Sequence, residues 1–223
     1  MIVTIDGPAG AGKSSAARVL AAKLGFRFLD TGAMYRAVTL AAVERGVDLR
    51  DEQALLRVAE GAEIHLTDGR VRLDGRDVTK AIRSFDITTA TRHAADHQGV
   101  RARLVELQRE AAHGQDVVSE GRDQATVVFP DADCKIFLTA SDGVRARRRY
   151  DDLLARGEAV TYEEVFAKQQ DRDRRDYDRP VGGLVRTADA VEVNTDGMSP
   201  EQVVDRLMQI VASRRPASSQ AGE

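Results

Sequence analysis

The stretch IDGPAGAGKSS, from Ile5 to Ser15, decides the fold of this chain. Gly7, four further residues, and then Gly12, Lys13 and Ser14 match the spacing G-x-x-x-x-G-K-[ST] of a phosphate-binding loop. Glycine adopts backbone conformations that are closed to other residues, so consecutive amides of such a loop can turn inward around an anion. The stretch therefore predicts a cradle of backbone N–H groups for a phosphate chain.

The residues on either side of this loop supply the expected context. Residues 1–5 are a short apolar run typical of a strand, and residues 14–24 carry Ala and Leu at helical spacing. A helix that begins at the loop adds partial positive charge to the anion site. Lys13 is expected to reach the terminal phosphates and Ser14 to ligate Mg²⁺. The alternative, a glycine-rich turn that matches by chance, leaves this order of strand, loop and helix unexplained.

The composition limits the class of protein. The 223 residues suit one domain with an insert, and 42% hydrophobic content with 4% aromatic residues predicts an aliphatic core. A formal net charge of −3 argues against a general polyanion binder, and no apolar run is long enough to span a membrane. The chain begins directly with a strand and has one cysteine, Cys134, expected to be a small core residue. We interpret it as a cytoplasmic protein.

Strand and helix patterns alternate along the chain, which predicts an α/β fold with a doubly wound parallel sheet and helices on both faces. Ligands of such sheets gather at the carboxyl ends of the strands, where Gly7, Asp30, Glu120 and Ser141 fall. We expect further strands at 26–29, 116–123, 134–140 and 190–195. Helices are expected at 31–46, 51–59, 88–112 with a break around Gly99, 141–156, 162–176 and 199–213.

A small antiparallel insert interrupts this alternation. Between residues 62 and 85 the apolar residues alternate, and two Asp-Gly pairs, Asp68-Gly69 and Asp74-Gly75, mark tight turns. The predicted organisation is a core of residues 1–61 and 86–213, an insert at 62–85, and a disordered tail at 214–223. Two arginine-rich helices flanking Gly157 form a predicted closing lid at about 141–180.

Arginines recur at helical spacing in the lid region, as Arg145, Arg148 and Arg149, and as Arg175 and Arg179. Like charges placed in this way destabilise a helix unless an anion lies between them. A solvated helix with internal ion pairs is one interpretation, since Asp176 stands four residues after Arg172. Beside a phosphate-binding loop, the other is that these guanidinium groups stabilise a transferring phosphoryl group.

Four ordered motifs together resemble one known family. GPAGAGKSS (7–15), DTGAMYR (30–36), EGRDQATVVFPDA (120–132) and RDRRDYDR (172–179) are similar to the bacterial cytidylate kinases, which are nucleoside monophosphate kinases. The resemblance runs from Ile2 to about Val211 and includes the insert. It implies transfer of the terminal phosphate of ATP to CMP or dCMP with Mg²⁺, in pyrimidine nucleotide metabolism, by a monomer that binds small nucleotides rather than nucleic acid or membranes.

The resemblance also implies site residues. ATP-binding positions would be Gly7, Gly10, Ala11, Gly12, Lys13, Ser14 and Ser15, with Ser14 on the metal. CMP-binding positions would be Thr31, Tyr35, Arg36, Arg101, Arg122, Asp123, Asp176 and Arg179. The catalytic set would be Lys13, Arg145, Arg149 and Arg179, of which Arg145 and Arg149 belong to the family's lid.

Cytosine chemistry agrees with the acceptor assignment. Asp123 can accept a hydrogen bond from the N4 amino group, while Arg101 donates to N3 and O2. Uracil presents a carbonyl oxygen where Asp123 requires a donor. Two positions depart from the family pattern: Gln124-Ala125 stands where a glycine usually precedes the threonine, so a positive φ there would be strained, and Arg92 stands where a serine is common near the base.

Three other functions remain to be weighed. A GTPase would require the guanine-reading motif N-K-x-D, which NTDG at 194–197 does not match, and a nucleic-acid binder would require aromatic platforms. A kinase of a non-nucleotide metabolite, such as a shikimate-type enzyme, shares the loop and lid and is the stronger rival.

His93 and His97 are spaced as a metal pair on a helix, but without a third ligand we interpret them as a solvated face.

Overall fold

The computed structural model describes residues 1–67 and 69–214 of the chain. Within them, five parallel strands form a sheet in the order β2-β6-β1-β7-β8. The strands are β1 Ile2–Asp6, β2 Arg27–Asp30, β6 Val117–Glu120, β7 Cys134–Thr139 and β8 Val191–Asn194. The first strand is central and almost fully buried, which is why its sequence is an unbroken apolar run up to Asp6.

Helices cover both faces of this sheet, as the alternating pattern predicts. Their bounds are α1 Lys13–Leu24, α2 Thr31–Glu44, α3 Glu52–Gly61, α4 Phe85–Ala90, α5 Arg92–Asp96, α6 Gln98–Ala112, α7 Asp142–Ala155, α8 Tyr162–Asp178 and α9 Pro200–Arg214. One apolar cluster joins α1 and α9 to β1 and β7, and a second joins α2, α3 and α6. Adjacent residues Val117 and Val118 belong to different clusters, so the sheet buries both faces. The doubly wound fold is thus confirmed.

The insert is a three-stranded antiparallel sheet in the described residues. Its strands are β3 Ile64–Thr67, β4 Arg70–Leu73 and β5 Arg76–Asp77. Asp74 and Gly75 both have positive φ, at 50° and 77°, which forms the predicted tight turn. Ile64 pairs with Leu73, and their side chains join the cluster under α2 and α3. Asp68 of the other predicted turn lies outside the described residues, as do residues 215–223 of the predicted tail.

The predicted helix at 88–112 is three helices, and the break expected around Gly99 lies at His97, two residues earlier. The chain bends at Thr91 and His97, and α6 begins at Gln98. The side chain of His97 explains the boundary, because its Nδ1 accepts a hydrogen bond from the backbone amide of Val100 at 3.2 Å and caps α6. Gly99 lies within the first turn of α6. His93 and His97 therefore do not share one continuous helix.

The segment after β6 avoids the strain that its sequence suggested. The strand ends at Glu120, three residues before the predicted limit, and residues Gln124–Val128 form one wide π-type turn. Among non-glycine residues of the described chain, only Asp74 has a positive φ, so Ala125 substitutes for glycine without backbone strain. No helix in residues 1–67 and 69–214 combines the length and apolar character needed to cross a membrane.

Candidate active site

The phosphate-binding loop joins β1 to α1. Gly7, Gly10 and Gly12 have φ values of 147°, 81° and 88°, so each uses the positive range that glycine tolerates. A Cβ on Gly7 would also overlap the carbonyl oxygen of Leu138 on β7. Gly12 caps α1 without a side-chain hydrogen bond, which leaves the first-turn amides for an anion. The loop is therefore a preformed backbone cradle at the carboxyl end of the central strand.

Lys13 lies inside this loop. Its ammonium group is buried and donates a hydrogen bond to the carbonyl oxygen of Pro8 at 2.8 Å. Burial, followed by the positive charge of Arg122, lowers the pKa of Lys13 to about 7, against the opposing effect of Glu120. A buried ammonium with so little compensation favours an added anion.

Ser14 and Glu120 form a pair of hard oxygen ligands beside the loop. The Ser14 hydroxyl donates to Oε1 of Glu120 at 2.7 Å, and Glu120 ends β6, where its backbone pairs with Ile5. Mg²⁺ commonly takes one or two protein oxygens and completes its shell with phosphates and water. The described residues hold no cluster of three or more His, Cys, Asp or Glu that could bind a metal alone. The pair therefore fits Mg²⁺ carried by a nucleotide.

A buried ion pair between Arg101 and Asp123 lies at the other side of the site. Arg101 projects from α6 and Asp123 from the turn after β6, and both are about 5% exposed. Arg101 also donates to the carbonyl oxygen of Ala95 at 3.1 Å, and its Cζ lies 5.7 Å from the ring centroid of Tyr35. Burial raises the pKa of Asp123, while Arg101 opposes the shift. The structure thus brings together the two predicted base-reading residues.

Gly182 packs directly on this ion pair. Its carbonyl oxygen accepts hydrogen bonds from Arg101 at 3.4 Å and from Arg179 at 3.5 Å. With φ at 69°, a Cβ at this position would overlap the guanidinium of Arg101 and the carboxylate of Asp123. The segment around Gly182 therefore covers the polar edges of the pair in this conformation.

Asp176 pairs with two arginines of the predicted CMP-binding set, Arg122 and Arg179. It accepts hydrogen bonds from Arg122 at 2.8 Å and from Arg179 at 3.0 Å, and Arg172 lies 4.0 Å away. Burial opposes its ionisation, but the arginines outweigh burial and lower the pKa of Asp176 to about 2. Arg179 also contacts Asp96 at 3.0 Å. These guanidinium groups are therefore compensated by carboxylates before any nucleotide binds.

A second compensated group surrounds Asp30. This residue caps α2 by accepting from the amide of Ala33, and it pairs with Arg36 and Arg83 at 3.3 Å each. Thr31 donates to the carbonyl oxygen of Glu120 at 2.7 Å, which ties α2 to β6. Arg83 was not predicted as a site residue, because it lies in a short turn with no recognisable motif.

The lid arginines have three different environments. Arg145 is buried against the phosphate-binding loop, where it donates to the carbonyl oxygen of Ala9 at 2.9 Å and pairs with Asp173 at 2.6 Å. Arg148 bonds the hydroxyl and carbonyl oxygens of Thr195, both at 3.0 Å. Arg149 has no hydrogen-bond partner within the described residues. The three residues therefore do not form one free cationic face, and exposed Arg175 makes a bond within α8 only.

Comparisons with known proteins agree with this geometry. A family model described as cytidylate kinase matches residues 3–213. A cytidylate kinase of Rhodopirellula baltica is 49% identical over 219 residues, covering 98% of this chain and 96% of that protein. The cytidylate kinase of Pelotomaculum thermopropionicum is 50% identical over 218 residues, with 96% of each chain covered.

Similarity to solved structures is more distant and concerns the fold alone. A protein of Thermus thermophilus aligns with a TM-score of 0.51 at 22% identity, over 97% of this chain and 98% of that one. A gluconokinase from Sinorhizobium meliloti aligns with the same TM-score at 15% identity, over 95% and 91%. The family model and the two near-full-length relatives are decisive: this chain belongs to the cytidylate kinase family.

Proposed function

We propose that this protein transfers the terminal phosphate of ATP to CMP or dCMP, giving CDP or dCDP. The observation that carries the proposal is the closeness of the two predicted nucleotide sites at one edge of the sheet. The positive charge of Arg122 lowers the pKa of Lys13 in the donor loop, and Arg122 donates a hydrogen bond to Asp176. Asp176 bonds Arg179, which shares the carbonyl of Gly182 with Arg101 of the base-reading pair. One edge of the sheet therefore brings together an anion cradle, an arginine cluster and the Arg101–Asp123 pair as the proposed base reader.

Cytosine is the base that suits the Arg101–Asp123 pair. The carboxylate of Asp123 accepts from the N4 amino group, and the guanidinium of Arg101 donates to N3 and O2. Uracil would leave the buried carboxylate facing a carbonyl oxygen, which costs on the order of 1 to 3 kcal/mol. Because Gly182 covers the pair, binding of cytosine requires the segment around Gly182 to move away.

The phosphate and sugar of CMP suit the compensated arginines. Arg36, Arg122 and Arg179 are each paired with Asp30 or Asp176, so they are held in place without an anion. An incoming phosphate re-pairs these guanidinium groups, which frees Asp176 to accept from a ribose hydroxyl. Thr31 and Tyr35 line the same side of the site.

Catalysis in this proposal is alignment and charge neutralisation. A phosphate monoester has a second pKa of about 6, so CMP is largely a dianion at neutral pH and no side-chain base or covalent intermediate is required. Lys13 and the loop amides bind the donor phosphates, and Arg179 contacts the acceptor phosphate. Ser14 and Glu120 would hold Mg²⁺, which neutralises charge on the phosphate oxygens when bound.

The lid at 141–180 contributes two different functions. Arg145 stabilises the donor loop by donating a hydrogen bond to the carbonyl oxygen of Ala9. Its positive charge is paired with Asp142 and Asp173. Within the described chain, the Arg149 side chain has no such partner. In this proposal it is the member of the predicted catalytic set that contacts the donor phosphates on closure. The insert at 62–85 packs on α2 and so belongs to the acceptor side. A monomer, as expected from the sequence, is part of this proposal, and gel filtration tests it.

A coupled assay with ATP against CMP, dCMP, UMP, AMP and shikimate tests the proposed function. CMP and dCMP should be the preferred acceptors, and UMP should react with a lower kcat/KM. Turnover of shikimate with none of CMP would assign the chain to the rival class of metabolite kinases.

A further inference from the structure

Asp6 is a buried carboxylate that the proposed mechanism does not use. It is the last residue of β1 and directly precedes Gly7 of the phosphate-binding loop. One of its oxygens accepts from the backbone amide of Gln124 at 3.0 Å, and the other accepts from the amide of Ala125 at 2.8 Å. These two amides immediately follow Asp123 in the chain. The side chain is 2% exposed.

The same turn is held from its other side by a buried polar network. The Gln124 side chain accepts from the hydroxyl of Ser119 at 2.7 Å and donates to Gln108 at 3.2 Å. Gln108 lies two helical turns after Arg101 on the buried side of α6. The turn that carries Asp123 is thus fixed to the root of the donor loop by Asp6 and to the helix of Arg101 by Gln108.

Burial makes the ionised form of Asp6 unfavourable, yet the geometry of the two backbone amides calls for a carboxylate. Burial raises the pKa of Asp6 to about 6, although the amides of Ala125 and Gln124 favour the charged form and Lys13 adds to their effect. The negative charge of Asp123 also raises the pKa of Asp6, whereas Arg122 and Asp6 attract each other. A carboxylate offers both oxygens as acceptors, whereas an amide side chain offers one and would point a donor at the other backbone N–H.

We propose that Asp6 is a positioning residue for base recognition. It fixes the turn that carries Arg122 and Asp123 in a set position relative to the donor loop, without contacting either nucleotide. This inference rests on the proposed function, since it assumes that Asp123 reads cytosine. A residue with a merely structural role would change the amount or stability of folded enzyme and would affect all acceptors equally.

The test compares Asp6→Asn and Asp6→Ser with the control Asp48→Asn. Asp48 also accepts from a backbone amide, that of Arg50 at 2.9 Å, but it is exposed in the loop between α2 and α3. For both Asp6 variants we expect the KM for CMP to rise about tenfold and the ratio of kcat/KM for CMP over UMP to fall about tenfold. The KM for ATP should change by less than about threefold, and Asp48→Asn should behave as the unmodified enzyme.

Thermal unfolding, followed by circular dichroism, establishes that each variant is folded. An unchanged CMP-to-UMP ratio in the folded variants would overturn the inference, and so would an equal rise in the KM for ATP, which would assign Asp6 to the donor loop. Failure of both variants to fold would assign Asp6 to folding and also overturn it. Failure of the proposed function is a separate result, because the unmodified enzyme would then not phosphorylate CMP.

Discussion

The proposed donor and acceptor regions of this molecule offer different kinds of anion-binding group. The donor loop uses backbone amides whose direction is set by glycines with positive φ, so it needs no side-chain partner to be in place. The acceptor region uses guanidinium groups from α2, α6, α8 and the turn after β6. Those groups are already paired with Asp30, Asp123 and Asp176.

This difference implies different responses to a ligand. A phosphate that enters the donor loop meets oriented dipoles and one buried ammonium, and nothing has to be displaced except the bond of Lys13 to Pro8. A nucleotide that enters the acceptor region must re-pair several arginines and move Gly182 off the base reader. Under the proposed function, discrimination between acceptors therefore depends on a conformational step that the donor loop does not need.

The substitution Lys13→Ala is expected to have the largest effect, and it distinguishes the donor region from the acceptor region. Lys13→Ala removes the only lysine of the donor loop, and we expect kcat to fall about 10³-fold because charge on the transferring group is no longer neutralised. CMP affinity, measured by calorimetry, should stay within about threefold. Lys135→Ala, which removes a lysine paired with Asp189 away from the loop, is the control. Loss of CMP binding in Lys13→Ala would mean that the two regions are not distinct.

Arg149 and Arg148 provide a matched pair in the lid. Arg149→Ala removes the guanidinium that lacks a partner in the described chain, and kcat should fall about 100-fold. Arg148→Ala breaks two bonds to Thr195 and should lower the melting temperature with little change in kcat. Steady-state kinetics and thermal unfolding on both variants distinguish these results. Equal losses of kcat would show that the two arginines share one function.

Proton uptake tests the environment of Lys13. Burial, then Arg122, lowers its pKa to about 7 in the free protein, and bound phosphates should raise it again. Above pH 7, ATP binding should therefore take up a proton, and affinity should fall by up to roughly tenfold per pH unit. Calorimetry at pH 8 in two buffers with different ionisation heats measures the uptake. Lys13→Ala should show none, and uptake that persists in this variant would refute the assignment.

Substitution of Gly182 tests whether this residue packs over the Arg101–Asp123 pair. Gly182→Ala adds a Cβ that overlaps Arg101 and Asp123 and imposes a positive φ on alanine, so we expect a loss of roughly 2 to 4 kcal/mol in stability. Gly46→Ala imposes nearly the same φ, 67°, at a position with open space, and should lose about 1 kcal/mol. Urea unfolding measures both. Equal losses would mean that Gly182 does not pack on the pair.

The contrast between the regions also explains what could be predicted from the sequence. The donor loop occupies consecutive residues, so its fold and its Lys13 and Ser14 were evident from spacing. The acceptor residues were identified by resemblance to a family, because they come from distant segments. Glu120 was placed at the ligand-binding edge of the sheet but given no role, and Asp6 was not singled out, since their partners Ser14 and Gln124 lie 106 and 118 residues away. The start of α6 is set by the His97 side chain, which caps the helix, and not by the backbone freedom of Gly99.

We propose that Asp123, held by Arg101, selects cytosine in the acceptor region. The most direct measurement is the ratio of kcat/KM for CMP over UMP in the unmodified enzyme and in Asp123→Asn. We expect a ratio of at least about tenfold that falls to near unity in the variant, because an asparagine amide can either accept from cytosine or donate to uracil. A ratio that is the same in both enzymes, with both folded, would contradict the account.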